Sequence, residues 1–207
     1  MVNYTNKMKP TDALSLNMNL EAVVAPKSDK VWQEIKTTLL SLYDELIFES
    51  LTESKSINFT AYNNESKLEK YFKDEKSIFI ILRGKNNPSQ INGFTFSIPD
   101  KNIDTEALQI SNFLTNETNT HYICATKLDK RLQGKKIVAL MMSILESTLK
   151  KQGVEYVTRH AKDTITPTDN RSYADKIQSN YPKEKILFQK ERESKYGKQR
   201  YFLIKIS

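Results

Sequence analysis

The hydrophobic pattern changes along the chain between the period of a strand and that of a helix. Apolar residues alternate with polar ones between Asp12 and Glu21, which predicts a half-buried strand. Apolar positions at helical spacing from Trp32 to Leu46 then predict a first helix, which starts near Pro26 and Ser28. A second, short helix is predicted over 64–73. The first third of the chain is therefore expected to form one strand and two helices.

The middle of the chain predicts a hairpin, a strand and a long helix. Two apolar runs, 77–84 and 91–99, flank a turn rich in Asn and Pro, and this arrangement is typical of a β-hairpin. A strand is predicted over 120–128. The helix behind it has one apolar face, begins just after Lys136 and ends before Gly153.

The last part predicts a strand at 154–161, a helix from a cap at Thr168-Asp169 to about Gln178, and closing strands at 185–191 and 199–206. Together the chain predicts a mixed α/β fold with a mainly antiparallel sheet of about seven strands and four helices. Antiparallel hairpins at each end of the chain enclose one β-α-β crossover in the middle.

The composition suits a single soluble domain. The 207 residues are enough for one domain over 1–207, with 1–11 as a flexible N-terminus. No uncharged apolar run has the roughly 20 residues of a membrane span, and the first residues contain no apolar signal segment. One cysteine, Cys124, fits a reducing compartment, so we expect a cytoplasmic protein. Two histidines and that cysteine give no metal-ligand spacing, and we expect no metal.

The chain carries a net charge of +7 and a pI of about 9.2, which attracts anions such as nucleic acid or a phosphate-bearing cofactor. Most of the lysines are scattered, which is typical of a solvated surface. Nucleic-acid binding is disfavoured, because the sequence contains neither a basic helix nor a platform of aromatic and basic residues.

One local cluster of cations is informative. Lys130, Arg131, Lys135 and Lys136 surround Gly134 between a predicted strand and a predicted helix. The first amides of a helix have no intrahelical partners, and the helix dipole favours an anion there. A glycine lets the backbone curl round a phosphate. The alternative is an ordinary turn with solvated lysines, since the stretch matches neither the Walker nor the GxGxxG pattern.

The segment RLQGKK, Arg131–Lys136, resembles the Arg/Gln-x-x-Gly-x-Gly/Ala turn of the GNAT superfamily of acyl-CoA-dependent N-acyltransferases. That turn also joins a fourth strand to a third helix. The upstream NGFTFSI resembles the family's second and third strands, and DNRSYADKIQSNYP resembles its Asn-initiated fourth helix. The chain departs from the family at Lys136, which stands where a small residue is usual, and at Asn180-Tyr181, where Gly-Phe is usual.

The resemblance implies that the turn holds the pyrophosphate of acetyl-CoA. It also implies that the backbone near Ala125 to Leu128 lies along the pantetheine arm and supplies an oxyanion interaction. The cofactor-binding positions carried over are Lys127, Leu128, Arg131, Leu132, Gln133, Gly134, Lys135, Lys136, Ile137 and Asn170.

The family often uses a tyrosine of the fourth helix to protonate the departing thiolate. Tyr173 is the nearest candidate, although the family's tyrosine usually falls where Ile177 stands, and Tyr181 is the second candidate. The competing interpretation of Tyr173 is simple packing on the core, and Asn170 is equally suited to capping the helix.

No residue stands out as the general base. Glu117 and His121 precede the fourth strand and are candidates, but we expect His121 and His160 to be ordinary strand residues. Cys124 has no histidine in its sequence surroundings, so we expect it to be buried rather than nucleophilic.

The sequence therefore predicts an N-acetyltransferase that transfers an acetyl group from acetyl-CoA to a primary amine of a small molecule or a peptide. A CoA-binding module without turnover is the alternative, because of Lys136 and the missing base, and nucleic-acid binding comes third. The family often dimerises, so a homodimer is among the expected states. The polar stretch 100–118 is a candidate lining of the acceptor cleft.

Overall fold

The computed structural model describes residues 19–29, 31–33, 36, 65–100, 119–132, 136–163, 165–166, 169–194 and 197–207. The predicted strand before Asn19, most of the predicted first helix, Glu117 and the turn residues Gln133–Lys135 lie outside the described residues. Residues 29, 31–33 and 36 are helical, in the interval where the first helix was predicted.

The described strands are β1 (Leu20–Val24), β2 (Ile78–Gly84), β3 (Ile91–Pro99), β4 (Thr120–Leu128), β5 (Tyr156–Lys162), β6 (Ile165–Thr166), β7 (Asp169–Ser172), β8 (Ile186–Ser194) and β9 (Gly197–Lys205). The helices with defined bounds are α1 (Glu65–Lys73), α2 (Ile137–Lys151) and α3 (Tyr173–Ser179). Single 3-10 turns occupy Lys130–Leu132 and Lys183–Lys185. None of the described helices is long and apolar enough to cross a membrane.

Seven strands form one sheet in the order β1-β2-β3-β4-β5-β9-β8. Every neighbouring pair is antiparallel except β4 and β5, which run parallel and are connected through α2. A parallel pair needs such a crossover, whereas the antiparallel neighbours can follow one another directly. The predicted mixed α/β fold, with a mainly antiparallel seven-stranded sheet and one β-α-β crossover, is confirmed.

The sheet has two differently covered faces. On one, which we call the aromatic face, Phe79 stacks on Phe96 with centroids 4.6 Å apart, and Trp32 and Phe72 pack over them. On the other, which we call the α2 face, the buried side of α2 meets an aliphatic cluster that includes Val157. Successive strand residues alternate between these faces, so the position of a side chain along a strand decides which face it serves.

The start of the last helix was predicted wrongly. Asp169 and its successors form β7, which pairs with β6 in a small two-stranded sheet, and α3 begins only at Tyr173. The reason is a capping box: the Asp175 amide donates to Ser172 Oγ over 3.0 Å, and the Ser172 amide donates to the Asp175 carboxylate over 3.2 Å. Asn170 is therefore a strand residue rather than the helix cap.

The first strand ends later than predicted. Its described part runs from Leu20 to Val24, three residues past the predicted end at Glu21. The ladder with β2, from Leu20 opposite Gly84 to Val24 opposite Ile80, determines this position. The sequence did not show where the strand ends, because Leu20 to Val24 are only partly buried or exposed and therefore have no clear alternation of apolar and polar residues.

Gly93 marks a close approach between β3 and the end of β4. A Cβ at this position would lie 2.7 Å from the backbone oxygen of Lys127 and 2.8 Å from Leu128 Cδ1. Those contacts are shorter than any real Cβ makes, and a backbone oxygen in a ladder cannot move cheaply. Glycine at position 93 therefore fixes where the last residues of β4 lie.

We expect Gly93→Ala to lower the free energy of unfolding by about 1–3 kcal/mol, the range for overpacking a tight site. Urea unfolding followed by circular dichroism measures the change. Gly153→Asn is the control, because a Cβ there meets nothing within 4 Å and Asn tolerates the positive φ of 76°. Equal stability of Gly93→Ala and the parent protein would contradict the close approach.

Candidate active site

The central feature of the candidate site is the unequal pairing of β4. On one side β4 pairs with β3 from His121 to Leu128, almost its whole length. On the other side its parallel ladder with β5 has three residue pairs and ends where Tyr122 lies opposite Thr158. Both strands continue beyond that point, to Leu128 and Lys162, without a further ladder pair. The two strands therefore separate and leave a cleft between them.

A β-bulge lies at the start of this separation. Phe96 of β3 is opposite Ala125, whereas the next residue, Ser97, is opposite Ile123, so Cys124 is the extra residue on β4. A bulge bends its strand and disturbs the local ladder, and bulges are common beside active sites. Cys124 is only partly buried and packs against the aromatic cluster, so the prediction that it is buried is correct only in part.

Hydrogen bonds from Asp129 shape the turn that follows β4. Its amide donates to the backbone oxygen of Asn92 over 2.8 Å, and its carboxylate accepts from the Arg131 amide over 2.9 Å and from Arg131 Nε over 3.0 Å. These bonds from Arg131 hold the pKa of Asp129 below its ordinary value. The Arg131 side chain is 79% exposed, so it stands at the surface of the turn while Asp129 orients it.

The N-terminus of α2 lacks a side-chain cap. Lys136, the residue before the helix, has φ 58° and ψ 9°, in the left-handed region, and its side chain makes no capping hydrogen bond. The first turn contains no acidic residue. A left-handed conformation costs a residue with a Cβ roughly 1–2 kcal/mol, so a glycine would be less strained at this position. The chain keeps that backbone conformation with lysine in place.

Most of the predicted cofactor-binding residues come together in one place. Lys127 and Leu128 end β4, Arg131 and Leu132 form the 3-10 turn, and Lys136 and Ile137 open α2. They follow one another along the chain at the open end of the cleft. Gln133, Gly134 and Lys135 lie outside the described residues, and Asn170 belongs to β7.

The two candidate acids have opposite environments. Tyr173, the first residue of α3, is 55% exposed, and Lys176 Nζ lies 5.6 Å from its ring centroid. Tyr181 is partly buried and its phenol donates to the Glu146 carboxylate of α2. Burial raises the pKa of Tyr181 above its ordinary value, Arg159 opposes this rise, and Glu146 adds to it. Only Tyr173 therefore presents an accessible phenol, and its catalytic role stays a prediction.

Arg200 fixes the start of α3. From β9 it donates to both carboxylate oxygens of Asp163 over 2.8 Å, and to Asp175 over 2.9 Å and Gln178 over 3.0 Å. Ser172, the cap of α3, donates to Asp163 as well. Burial works against ionisation of Asp163, but the bonds from Arg200 and Ser172 outweigh it and lower its pKa. The end of β5 and the first turn of α3 are thereby held together.

The two histidines lie on opposite faces. His121 follows the alternation onto the α2 face, where it is buried with Nδ1 3.4 Å from Ser97 Oγ, and burial lowers its pKa to about 4. His160 lies on the aromatic face just past the last β4–β5 pair, and its Nδ1 shares a hydrogen bond with the Tyr122 phenol. Sequence reasoning missed this contact, because no pattern links residues 38 positions apart.

A separate cavity of about 430 Å³ adjoins the turn on the side of the first three strands. No residue of β5 lines it, so it is distinct from the cleft between β4 and β5. Its lining is mostly amide side chains and backbone: Asn19, Leu20, Gly84, Asn86, Asn87, Gln90, Asn92, Asp129, Arg131 and Leu132.

Comparison with known proteins gave no match to a family model or to a curated protein at the level of sequence. Solved structures do match. YncA from Salmonella typhimurium, solved with its cofactor acetyl-CoA, has a TM-score of 0.59 at 10% identity, covering 91% of this chain and 95% of that chain. The PaiA N-acetyltransferase from Thermoplasma acidophilum, solved with coenzyme A, has a TM-score of 0.53 at 14% identity, covering 89% and 98%.

The chain has the GNAT fold. A variant of the spermidine N-acetyltransferase SpeG from Vibrio cholerae also matches, with a TM-score of 0.55 at 11% identity over 91% of this chain and 95% of that one. The family resemblance drawn from the sequence is thus confirmed for the fold.

We expect Arg200→Gln to lower the free energy of unfolding at pH 7 by about 3 kcal/mol, the low end for breaking a buried pair. The Arg200 and Asp163 side chains are only 12% and 11% exposed, so the lost partner leaves a poorly solvated carboxylate. Because the folded pKa of Asp163 is lowered, this contribution is present above the ordinary carboxylate pKa. It is lost as the pH falls through the folded value.

Denaturant unfolding of Arg200→Gln and of the parent protein at pH 7 measures the loss in the free energy of unfolding. The same measurement at pH 3 or below shows how far that loss shrinks in acid. Lys205→Gln removes the same charge from the same strand, but at an exposed position away from Asp163. This control should cost no more than about 1 kcal/mol. If the loss of stability in Arg200→Gln does not shrink in acid, the loss does not come from the ion pair with Asp163.

Proposed function

We propose that the protein is an acetyl-CoA-dependent N-acetyltransferase acting on a primary amine. The observation that carries the proposal is the cleft that opens where β4 leaves β5, directly beside the uncapped N-terminus of α2. An extended polar chain can lie along the strand edge, and an anion can bind at the helix end. The GNAT fold and two similar structures solved with CoA or acetyl-CoA support this interpretation.

The described residues on either side of the turn suit a bound diphosphate. The first amides of α2 are donors without a side-chain cap, and no acidic residue opposes an anion in the first turn. Lys136 and Arg131 are exposed cations on either side of the turn. We assign the diphosphate of acetyl-CoA to this place and its pantetheine arm to the end of β4 at Lys127 and Leu128. The cofactor would supply the acetyl group as a thioester.

The bulge on β4 gives the chain a way to stabilise developing negative charge. At Cys124 the register with β3 shifts by one residue, and Ala125 to Leu128 continue along β3 beyond the last pair with β5. We assign the oxyanion interaction to β4 backbone amides near Ala125, as the family resemblance implies. Backbone donors held by a sheet need little reorganisation, which is the condition for effective electrostatic stabilisation.

The acceptor we propose is a small-molecule or peptide amine. An unperturbed alkylamine has a pKa of about 10.4, so only roughly 1 in 2,500 molecules is neutral at pH 7. An enzyme of this class therefore gains from a residue that removes a proton, typically about 10²–10⁴-fold.

A CoA-binding module without turnover is the second candidate, and Lys136 favours it. A lysine at the left-handed position places a long side chain where the family has a small one. Calorimetry with CoA and a turnover assay separate the two candidates. Binding without CoA release in the presence of acetyl-CoA and a panel of amines would establish the module and exclude the enzyme.

Val138→Glu tests the binding site. Val138 is the second residue of α2 and is 40% exposed, so a glutamate there should stabilise the helix end while repelling a diphosphate. We expect CoA affinity, measured by isothermal titration calorimetry, to fall by more than about tenfold, or 1.4 kcal/mol. The melting temperature of the free protein should not fall.

The matched control is Ser147→Glu, which adds the same charge to an exposed position of the same helix far from its N-terminus. This variant should bind CoA as the parent protein does. If both variants bind equally well, the diphosphate does not lie at the start of α2. If the parent protein binds no CoA at millimolar concentration while folded, the proposed function is wrong.

Tyr173→Phe tests the candidate acid. The change keeps the ring but removes the phenol proton, so we expect kcat to fall by about 10-fold or more, within the range of general acids, with CoA affinity retained. An amine that gives CoA release must first be found by screening. Tyr181→Phe is measured alongside. If Tyr173→Phe keeps the full kcat while Tyr181→Phe loses it, Tyr181 is the acid. If neither variant loses kcat, solvent supplies the proton.

A further inference from the structure

A connected set of polar side chains lies on the aromatic face where β4 and β5 separate. The Tyr122 phenol and His160 Nδ1 share a hydrogen bond, and the two rings are nearly parallel with centroids 5.8 Å apart. Tyr201 stacks on the other side of the imidazole at 5.1 Å, and its phenol donates to Gln199 Oε1 over 2.9 Å. The imidazole is therefore held by β4 and β9 as well as by its own strand.

His160 is the most exposed member of this set and lies beyond the last residue pair between β4 and β5. Tyr122 is fully buried, and Tyr201 and Gln199 are 5% and 2% exposed, whereas His160 is only partly buried. It follows Thr158, the last residue of β5 that pairs with β4. Buried polar networks are costly unless every member is satisfied, and such clusters of titratable groups beside a cleft are concentrated at functional sites.

Building on the acyl transfer proposed above, we propose that His160 takes the proton that the acceptor amine loses, while Tyr122 and Tyr201 hold its ring in place. In the reaction the amine nitrogen bonds to the acetyl carbon, the carbon–sulfur bond breaks, and the electron pair leaves on sulfur. The surplus amine proton passes to the imidazole and then to solvent. The sulfur takes a proton from the acid of the site or from water.

The contact with Tyr122 allows either tautomer of His160, and the proposal requires one of them. A neutral imidazole has one donor and one acceptor nitrogen. If Nδ1 donates to the phenol oxygen of Tyr122, then Nε2 is the acceptor that can receive a proton. Among the described residues, the groups beside the ring that titrate or carry charge include Tyr122 of β4, Tyr201 of β9 and Arg159 of its own strand. Burial, and to a smaller degree Arg159, lowers the pKa of His160 to about 4, so the ring is neutral at pH 7.

Nitrogen-15 NMR of the imidazole tests this state in the free protein, without any activity measurement. We expect His160 to be neutral at pH 7 with the proton on Nδ1, and Tyr122→Phe to shift its Nδ1 signal. A ring that is protonated at pH 7, or one that carries its proton on Nε2, would overturn the proposal, since neither could accept a proton from the cleft.

Kinetics with acetyl-CoA and two kinds of amine supply the second test. With an alkylamine such as spermidine or n-butylamine, His160→Gln should lower kcat by about 10²-fold while CoA affinity stays unchanged. With hydroxylamine, a far weaker base whose proton leaves more easily to water, the loss should be smaller. A purely structural role for His160 would lower both rates equally. His160→Phe, which keeps the stacked rings, serves the same purpose if His160→Gln does not fold.

His121→Gln is the matched control, because His121 is the only other histidine of the chain and lies on the α2 face. It should leave the transfer rate unchanged. If the parent protein fails to bind CoA, the proposed function and this inference both fall. If it binds CoA but transfers to none of the amines, the protein is a CoA-binding module and both proposals fall. If it transfers but His160→Gln keeps the parent rate, this inference alone is overturned.

Discussion

Strand β4 pairs with β3 along almost its whole length but with β5 over only three residues, and the rest of the structure depends on this difference. Its ladder with β3 runs to the last residue, while its ladder with β5 ends at Tyr122. Gly93 holds the far end of β4 against β3, so the strand cannot follow β5 away. The cleft is thus a product of backbone pairing, and the side chains around it only have to line a space that already exists.

The electrostatics of the site depend on where individual charged side chains lie, and not on the net charge of the protein. The net charge of +7 is spread over the chain, but at the turn Asp129 orients Arg131, and the first turn of α2 is kept without an acid. On the opposite side of the cleft Arg200 is bound by the carboxylates of Asp163 and Asp175 and serves as a structural cation. Arg131 and Arg200 carry the same charge but have different roles, because Arg131 is exposed at a turn and Arg200 is enclosed by hydrogen-bond acceptors.

The sequence predicted the regular elements of the middle of the chain almost to the residue. The alternation of Phe94, Phe96 and Ile98 defines β3, and the apolar face of α2 is equally periodic, so local pattern was sufficient. The start of α3 was missed because Thr168, Asp169 and Ser172 are all good capping residues, and only the reach of Asp175 back to Ser172 decides between them. The pairing of Tyr122 with His160 depends on how β4 meets β5, which no local pattern records.

The short junction between β4 and β5 also has a consequence for folding. Strands β1 to β4 pair with β-neighbours in sequence order, and β8 and β9 form a hairpin on β5, so each half of the sheet can assemble from its own neighbours. The halves join through three residue pairs that require the α2 crossover to close first. Every other ladder of this sheet has at least five pairs, so this one gains the fewest contacts for the loop that it must close. The seam that creates the cleft is therefore where we expect the sheet to form last and to open first.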